Sequence, residues 1–161
     1  MTTNENNGTR PDRRTVVFLG FAMALAGVFA YREFRNTPAP TGDALGVTQA
    51  HEMAQEGHLL LIDIRRPEEW RDTGVPEGAH PIDMRRDDFV PALLRLAGAD
   101  PTRPIGLICA RGVRSARLAS ELTQAGFTNV IDVPAGLLGS SAGAGWLAAG
   151  LPVRRHPETE N

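Results

Sequence analysis

Residues 105–115 read Ile-Gly-Leu-Ile-Cys-Ala-Arg-Gly-Val-Arg-Ser, and Ala-Arg-Leu-Ala-Ser-Glu-Leu-Thr-Gln-Ala-Gly follows through residue 126. The run Ile105–Ile108 is apolar throughout, the mark of a strand buried on both faces of a parallel sheet. Ser115–Ala125 has helical periodicity and ends at Gly126, a residue suited to the left-handed helix stop. Cys109, Ala110, Arg111, Gly112, Val113 and Arg114 lie between strand and helix. In parallel α/β sheets ligands bind beyond the carboxyl ends of the strands, where this loop must sit. A tight loop feeding a helix start turns backbone N–H groups inward and adds the positive end of the helix dipole. Gly112 can take the positive φ that such a curl needs. Arg111 and Arg114 add full positive charges, and all three effects favour a thiolate at Cys109. An inert buried cysteine belongs inside an apolar strand or helix, not at a strand end beside glycine and two arginines.

Working outward, strands and helices alternate. A short strand at Leu45–Val47 leads into a helix to Glu56, stopped by Gly57. Leu59–Ile64, LLLIDI, reads as a second fully buried strand. Pro67-Glu68-Glu69-Trp70 opens a helix, with proline in the first turn and acids at the positive helix end. Ala79–Ile82 is a short strand, Asp88–Ala97 a helix, Asn129–Val133 a strand and Trp146–Ala149 a last helical turn. The β-α-β-α order predicts an α/β fold with a mainly parallel sheet and helices on both faces.

Ahead of this domain, residues 1–14 form a polar tail, and Thr15–Tyr31 is a 17-residue run without a charge. As a helix that run spans roughly 25 Å, slightly short of a hydrocarbon core of about 30 Å. Snorkelling of Arg14 and Arg32, with Tyr31 at the interface, makes up the difference. We read residues 15–34 as a single-pass anchor of a bacterial inner membrane. A removable export signal, which would leave a soluble periplasmic domain, is the alternative. Three arginines precede the run and two follow it, which orients the domain toward the periplasm. Residues 35–43 read as a proline-bearing linker, 44–155 as the folded domain and 156–161 as a tail.

Composition excludes several functions. All 17 cationic side chains are arginine. From Asn36 to Asn161, 12 arginines face 16 carboxylates, a net of −4 that disfavours nucleic acid. One cysteine excludes an internal disulfide and a thiolate metal cluster. His51, His58, His80 and His156 lack metal-ligand spacing, so no metal site and no cofactor is expected.

The loop Cys109-Ala110-Arg111-Gly112-Val113-Arg114-Ser115 resembles the active-site loop of rhodanese-family sulfurtransferases, with cysteine first, glycine fourth and arginine sixth. Leu61-Ile62-Asp63-Ile64-Arg65 is similar to the family's aspartate-x-arginine strand, and Pro67-Glu68-Glu69-Trp70 to the helix after it. Gly74-Val75-Pro76-Glu77-Gly78-Ala79 resembles its turn before the third strand. Trp146 through Val153 is similar to its ending. The resemblance spans roughly Ala44 to Val153. It implies a rhodanese-like domain with a five-stranded parallel sheet, preceded here by the N-terminal hydrophobic helix.

The resemblance also implies that Cys109 takes a sulfur from a small-molecule donor such as thiosulfate and passes it to a thiol or cyanide. A protein sulfur acceptor is a further option. The amides of Ala110 through Ser115 would hold the persulfide, and Arg111 or Arg114 would attract the donor. Asp63 and Arg65 are read as supports of the loop, with Arg65 a minor contributor to donor binding.

Three departures stand out. Val75 replaces a frequent histidine, so no general acid is carried over. Arginine sits at the third loop position rather than the second. Leu137–Gly145, LLGSSAGAG, is longer than the family's compact version. Its composition suggests a mobile loop; we read it as a plain surface insertion, with a place near the active site as the alternative. Two rival functions remain: a non-turnover sulfur relay or binding module, and a cysteine phosphatase or arsenate reductase. The latter places arginine one residue later, where this chain has Ser115.

Overall fold

The computed structural model describes residues 44–156. The anchor or signal at 15–34, the tail before it, the linker and residues 157–161 lie outside the described residues. Among the described residues, no helix is long and apolar enough to cross a membrane.

In chain order the elements are α1 (Val47–Gln55), β1 (Leu60–Asp63), α2 (Pro67–Thr73), β2 (Val75–Pro76) and β3 (His80–Pro81). There follow α3 (Phe89–Ala97), β4 (Ile105–Ile108), α4 (Val113–Gln124), β5 (Val130–Asp132) and β6 (Val153–Arg154). Four strands make a parallel sheet ordered β3-β1-β4-β5, and β2 pairs antiparallel with β6 in a separate ribbon.

All four residues of β1 and all four of β4 are buried. Their side chains alternate between two apolar layers, because successive residues of a strand point to opposite faces. Leu59 and Leu61 join Val47 and Ala50 of α1, Trp70 of α2 and Trp146 on one face. Leu60, Ile62, Ile105 and Leu107 join Phe89 and Leu93 of α3 and Leu118 and Leu122 of α4 on the other. Gly106 is small for a reason: a Cβ there would stand 2.8 Å from Leu59 Cδ2.

Two expectations need correction. The fifth strand, placed at Leu45–Val47, reduces to a parallel bridge between Ala44 and Asp132, so among the described residues the parallel sheet has four strands. The Leu45 amide donates to the Asp132 carbonyl at 2.8 Å, but Val47 already begins α1 and the chain leaves the sheet. Helix α4 starts at Val113, two residues before the predicted Ser115, which puts Arg114 and Ser115 in its first turn.

Candidate active site

Cys109 directly follows β4, and Gly112 caps the start of α4 with φ 85°. That left-handed conformation folds the chain back within three residues, and the Gly112 N–H donates to Cys109 Sγ at 3.2 Å. A Cβ on Gly112 would collide with the Pro134 carbonyl oxygen, so the loop and the segment after β5 interlock there. Ser115 is buried under the same loop. Its hydroxyl donates to the Gly112 carbonyl at 3.0 Å and stands 3.5 Å from Cys109 Sγ, where either atom can donate.

The cradle is narrower than the sequence predicted. Of the amides from Ala110 to Ser115, that of Gly112 is the one within hydrogen-bond reach of the sulfur. Cys109 is 1% exposed and packs in an apolar cluster, although its place at a strand end beside glycine and arginine pointed away from a buried cysteine. Leu107 and Cys109 share the face covered by α3 and α4, and burial follows from that alternation.

The two loop arginines separate. Arg111 is exposed and donates through Nη1 to the Gly139 carbonyl at 3.2 Å. Arg114 grips Glu69 with both terminal nitrogens, each at 2.7 Å. This fork on a carboxylate is the strong form of ion pair. It pulls the Glu69 carboxyl down to about 2, chiefly through the Arg114 hydrogen bond and against the upward effect of burial. Glu69 in turn holds Arg114 protonated, with a smaller pull from Cys109. Arg114 therefore links α2 to the cysteine loop. The sequence pointed to Glu69 only as an acid at a helix start; its partner lies 45 positions away. Arg66, Met84, Arg85 and Arg114 line an open cleft of about 330 Å³.

Asp63 and Arg65 form a closed knot, 0% and 2% exposed. Arg65 Nε donates to Asp63 at 2.9 Å and Nη2 at 2.7 Å. The remaining donors reach the Glu69 carbonyl, the Thr73 hydroxyl and the Gly74 carbonyl. With every guanidinium nitrogen committed inside the protein, Arg65 supports the end of β1 and has no donor group left for a substrate. The part in donor binding expected for it is corrected accordingly.

The 137–145 segment is exposed at Leu138 and at residues 141–144, and its start is tied to the cysteine loop. Leu137 is buried, and its amide donates to the Cys109 carbonyl at 2.9 Å; the Leu138 amide does the same to Ala110. Ser140 and Gly143 bond to each other through both amides, and Ser140 Oγ donates to the Pro134 carbonyl at 2.8 Å. The glycines permit tight self-packing here: a Cβ on Gly145 would strike the Gly139 nitrogen. Val113, 79% exposed, and Leu138, 44% exposed, flank the loop as apolar surface.

The sequence reading passed over Asp132. It ends β5 on the face that carries Leu107 and Cys109, is 8% exposed, and has an Oδ1 buried without a hydrogen-bond partner. Burial pushes its carboxyl above the usual range, while the Ser115 hydroxyl and the Val133 amide pull it back in part. A carboxylate at the end of an apolar strand was the available signal, the same one that drew attention to Asp63. No cluster of three metal-ligating side chains occurs among the described residues.

Residues 46–141 match the rhodanese-like domain. A chloroplastic thiosulfate sulfurtransferase of Arabidopsis thaliana is 30% identical over 120 residues, covering 69% of this chain and 92% of the relative. A thiosulfate sulfurtransferase of Pseudomonas syringae is 27% identical over 88 residues, 55% of this chain and 76% of that one. Among solved structures, a polysulfide-sulfur transferase homodimer of Wolinella succinogenes is 26% identical with a TM-score of 0.54, covering 74% of this chain and 84% of that one.

Proposed function

The chain belongs to the rhodanese-like domain family, and from that premise we propose that it is a sulfurtransferase working through a persulfide on Cys109. The observation that carries this reading is the Gly112 amide held 3.2 Å from Cys109 Sγ by a left-handed glycine at a helix start. With thiosulfate as donor, the sulfur of Cys109 attacks the outer sulfur. A new S–S bond forms, the donor's S–S bond breaks, and its electron pair leaves with sulfite. A thiol or cyanide then attacks the outer sulfur of the persulfide, and the electron pair returns to Cys109. Such a two-step transfer is covalent catalysis, and the amide stabilises the anionic sulfur at each stage.

Burial of Cys109 means that donor access requires the loop around Arg111 and Val113 to open. Both side chains are exposed, and that of Arg111 makes one hydrogen bond, to the Gly139 carbonyl; Gly112 between them is packed against Pro134, so opening must release that contact. Arg111, with no carboxylate partner in the ion pairs formed by the described residues, is the better guide for an anionic donor than Arg114, which Glu69 neutralises.

A sulfur relay to a protein acceptor is a second reading, favoured by Val113 and Leu138 standing exposed on either side of the loop. Steady-state assay separates the two. Thiocyanate production from thiosulfate and cyanide, abolished by Cys109→Ser, is the expected result. Loading without turnover to any small acceptor would instead assign the relay. Phosphate release from an aryl phosphate would overturn both.

We also propose that residues 15–31 anchor the domain in an inner membrane, facing the periplasm, on the strength of the uncharged run and its flanking arginines. Membrane fractionation with N-terminal sequencing tests this. Recovery of a shortened soluble chain would make the segment an export signal.

A further inference from the structure

The cleft lined by Arg66, Met84, Arg85 and Arg114 has no part in the mechanism above. Arg66 follows β1, Met84 and Arg85 follow β3, and Arg114 stands in the first turn of α4, after β4. These three strands are neighbours in the order β3-β1-β4. The cleft therefore lies across their carboxyl ends, where ligands of parallel sheets bind. Cys109 ends the same row, directly after β4. Met84 packs against the apolar cluster that holds Cys109, which ties the cleft wall to the cysteine's surroundings.

Three guanidinium groups line this cleft and no carboxylate does. Glu68, Glu69 and Asp83 compensate the charge from outside the lining, and they occupy only some of the arginine nitrogens. Arg114 spends both terminal nitrogens on Glu69. Arg66 donates from Nε to Glu69 at 3.2 Å, with Glu68 also 3.2 Å from that nitrogen. Among the described residues, neither terminal nitrogen of Arg66 donates a hydrogen bond. Arg85 donates from Nε and Nη2 to Asp83, which leaves Nη1 unspent among the described residues. Two oriented cations with unused N–H groups thus line one cleft, and carboxylate or phosphate is what such a fork matches. At about 330 Å³ the cleft falls at the lower end of small-ligand sites, roughly 300–1,000 Å³. An inorganic anion such as thiosulfate would leave most of it unfilled.

We infer, resting on the sulfur-transfer reading, that this cleft binds the sulfur acceptor, a small thiol whose remainder carries two negative charges, on carboxylates or on a phosphate. Arg66 and Arg85 take the anionic groups, and the thiol end reaches past Arg114 to the cysteine loop. There the acceptor attacks as its thiolate, the reactive form of a thiol. A bond forms between its sulfur and the outer sulfur of the persulfide. The bond from that outer sulfur to Cys109 breaks, its electron pair stays on Cys109, and the acceptor leaves as its own persulfide. Donor and acceptor then approach Cys109 from opposite sides. Arg111 bonds to Gly139, in the segment after β5, whereas the cleft lies toward β1 and β3. Arg66 and Arg85 set specificity: they hold the anionic groups of the acceptor and do not touch its sulfur.

Turnover of the full chain with thiosulfate and two matched pairs of acceptors tests this, beside the intact mass after loading. The pairs are mercaptosuccinate against β-mercaptoethanol, and phosphopantetheine against pantetheine. In the wild type, kcat/KM for the charged member of at least one pair should exceed that of its neutral partner about tenfold or more. The pair that shows the preference tells carboxylate from phosphate. Arg66→Gln and Arg85→Gln should each reduce that ratio severalfold or more, chiefly through KM. Ratios near one in both pairs, or a loss shared equally by charged and neutral thiols, overturn the acceptor cleft and leave the sulfurtransferase standing. Loading by thiosulfate that slows as much as turnover of the charged thiol gives the cleft to the donor, and overturns it likewise. No sulfur gained by the wild type with thiosulfate or polysulfide overturns both.

Discussion

Two strand ends of the same sheet carry charged knots, and they are built differently. At the end of β1, Asp63 and Arg65 are sealed, and each guanidinium nitrogen has a partner at 2.7 to 3.2 Å. At the end of β4, Cys109 has one amide, a serine hydroxyl at 3.5 Å and, across β5, a buried carboxyl oxygen with nothing to bond. Polar groups buried for support close their hydrogen bonds, because an open one costs about 1–3 kcal/mol. The β4 end leaves one open, at Asp132 Oδ1. The neighbouring strand ends thus differ: one is tied to α2 by Arg65, every guanidinium nitrogen of which has a partner, the other keeps a polar atom without one.

The largest effect that would test this contrast comes from the sealed knot. Arg65→Ala leaves the Asp63 carboxylate buried and alone, and should lower stability by about 3–5 kcal/mol. Urea unfolding measures it, and a loss under 1 kcal/mol, roughly a surface substitution, would remove the distinction. Gly112→Ala comes next. Its φ of 85° and the Pro134 carbonyl leave no room for a methyl group. A stability loss of at least about 1 kcal/mol is expected, together with loss of persulfide formation because the amide turns away from the sulfur.

Glu69→Gln is a smaller perturbation, about 1 kcal/mol at neutral pH, since the pair with Arg114 is only partly buried. Its pH dependence is diagnostic. The Glu69 carboxyl titrates near 2 in the folded chain against 4.5 as its ordinary value, so the pair stabilises fully above the latter. That contribution fades as pH falls toward about 2, and unfolding curves of wild type and Glu69→Gln should converge there. Asp132→Asn should have the smallest effect on stability, with the opposite sign. Burial raises the Asp132 carboxyl, so folding favours its protonated form and the wild type loses stability as pH rises through that titration. The asparagine variant should therefore gain on the wild type toward neutral pH and match it in acid. A variant less stable at every pH would show that the carboxylate is a structural partner after all.

Much of the fold was legible because burial on two faces leaves continuous apolar runs. Ile105–Ile108 is a strand as read, and LLLIDI contains β1. The two-residue pairing of β2 with β6 carries too few residues for any periodicity, so it was invisible. The site divided the same way. Cys109, Gly112 and Ser115 were legible because they are close in sequence and share a loop. Glu69 and Asp132 act across elements, and a residue type alone does not say what lies opposite it. The glycines and serines of 137–145 suggested looseness, yet here they serve close packing, which the same residues allow.

Intact mass after incubation with thiosulfate, followed by digestion and location of the modified peptide, tests the central claim most directly. The account predicts one added sulfur, on the peptide containing Cys109, lost in Cys109→Ser and removed by cyanide. An unchanged mass with thiosulfate and polysulfide alike, in protein whose Cys109 still reacts with iodoacetamide, would contradict it.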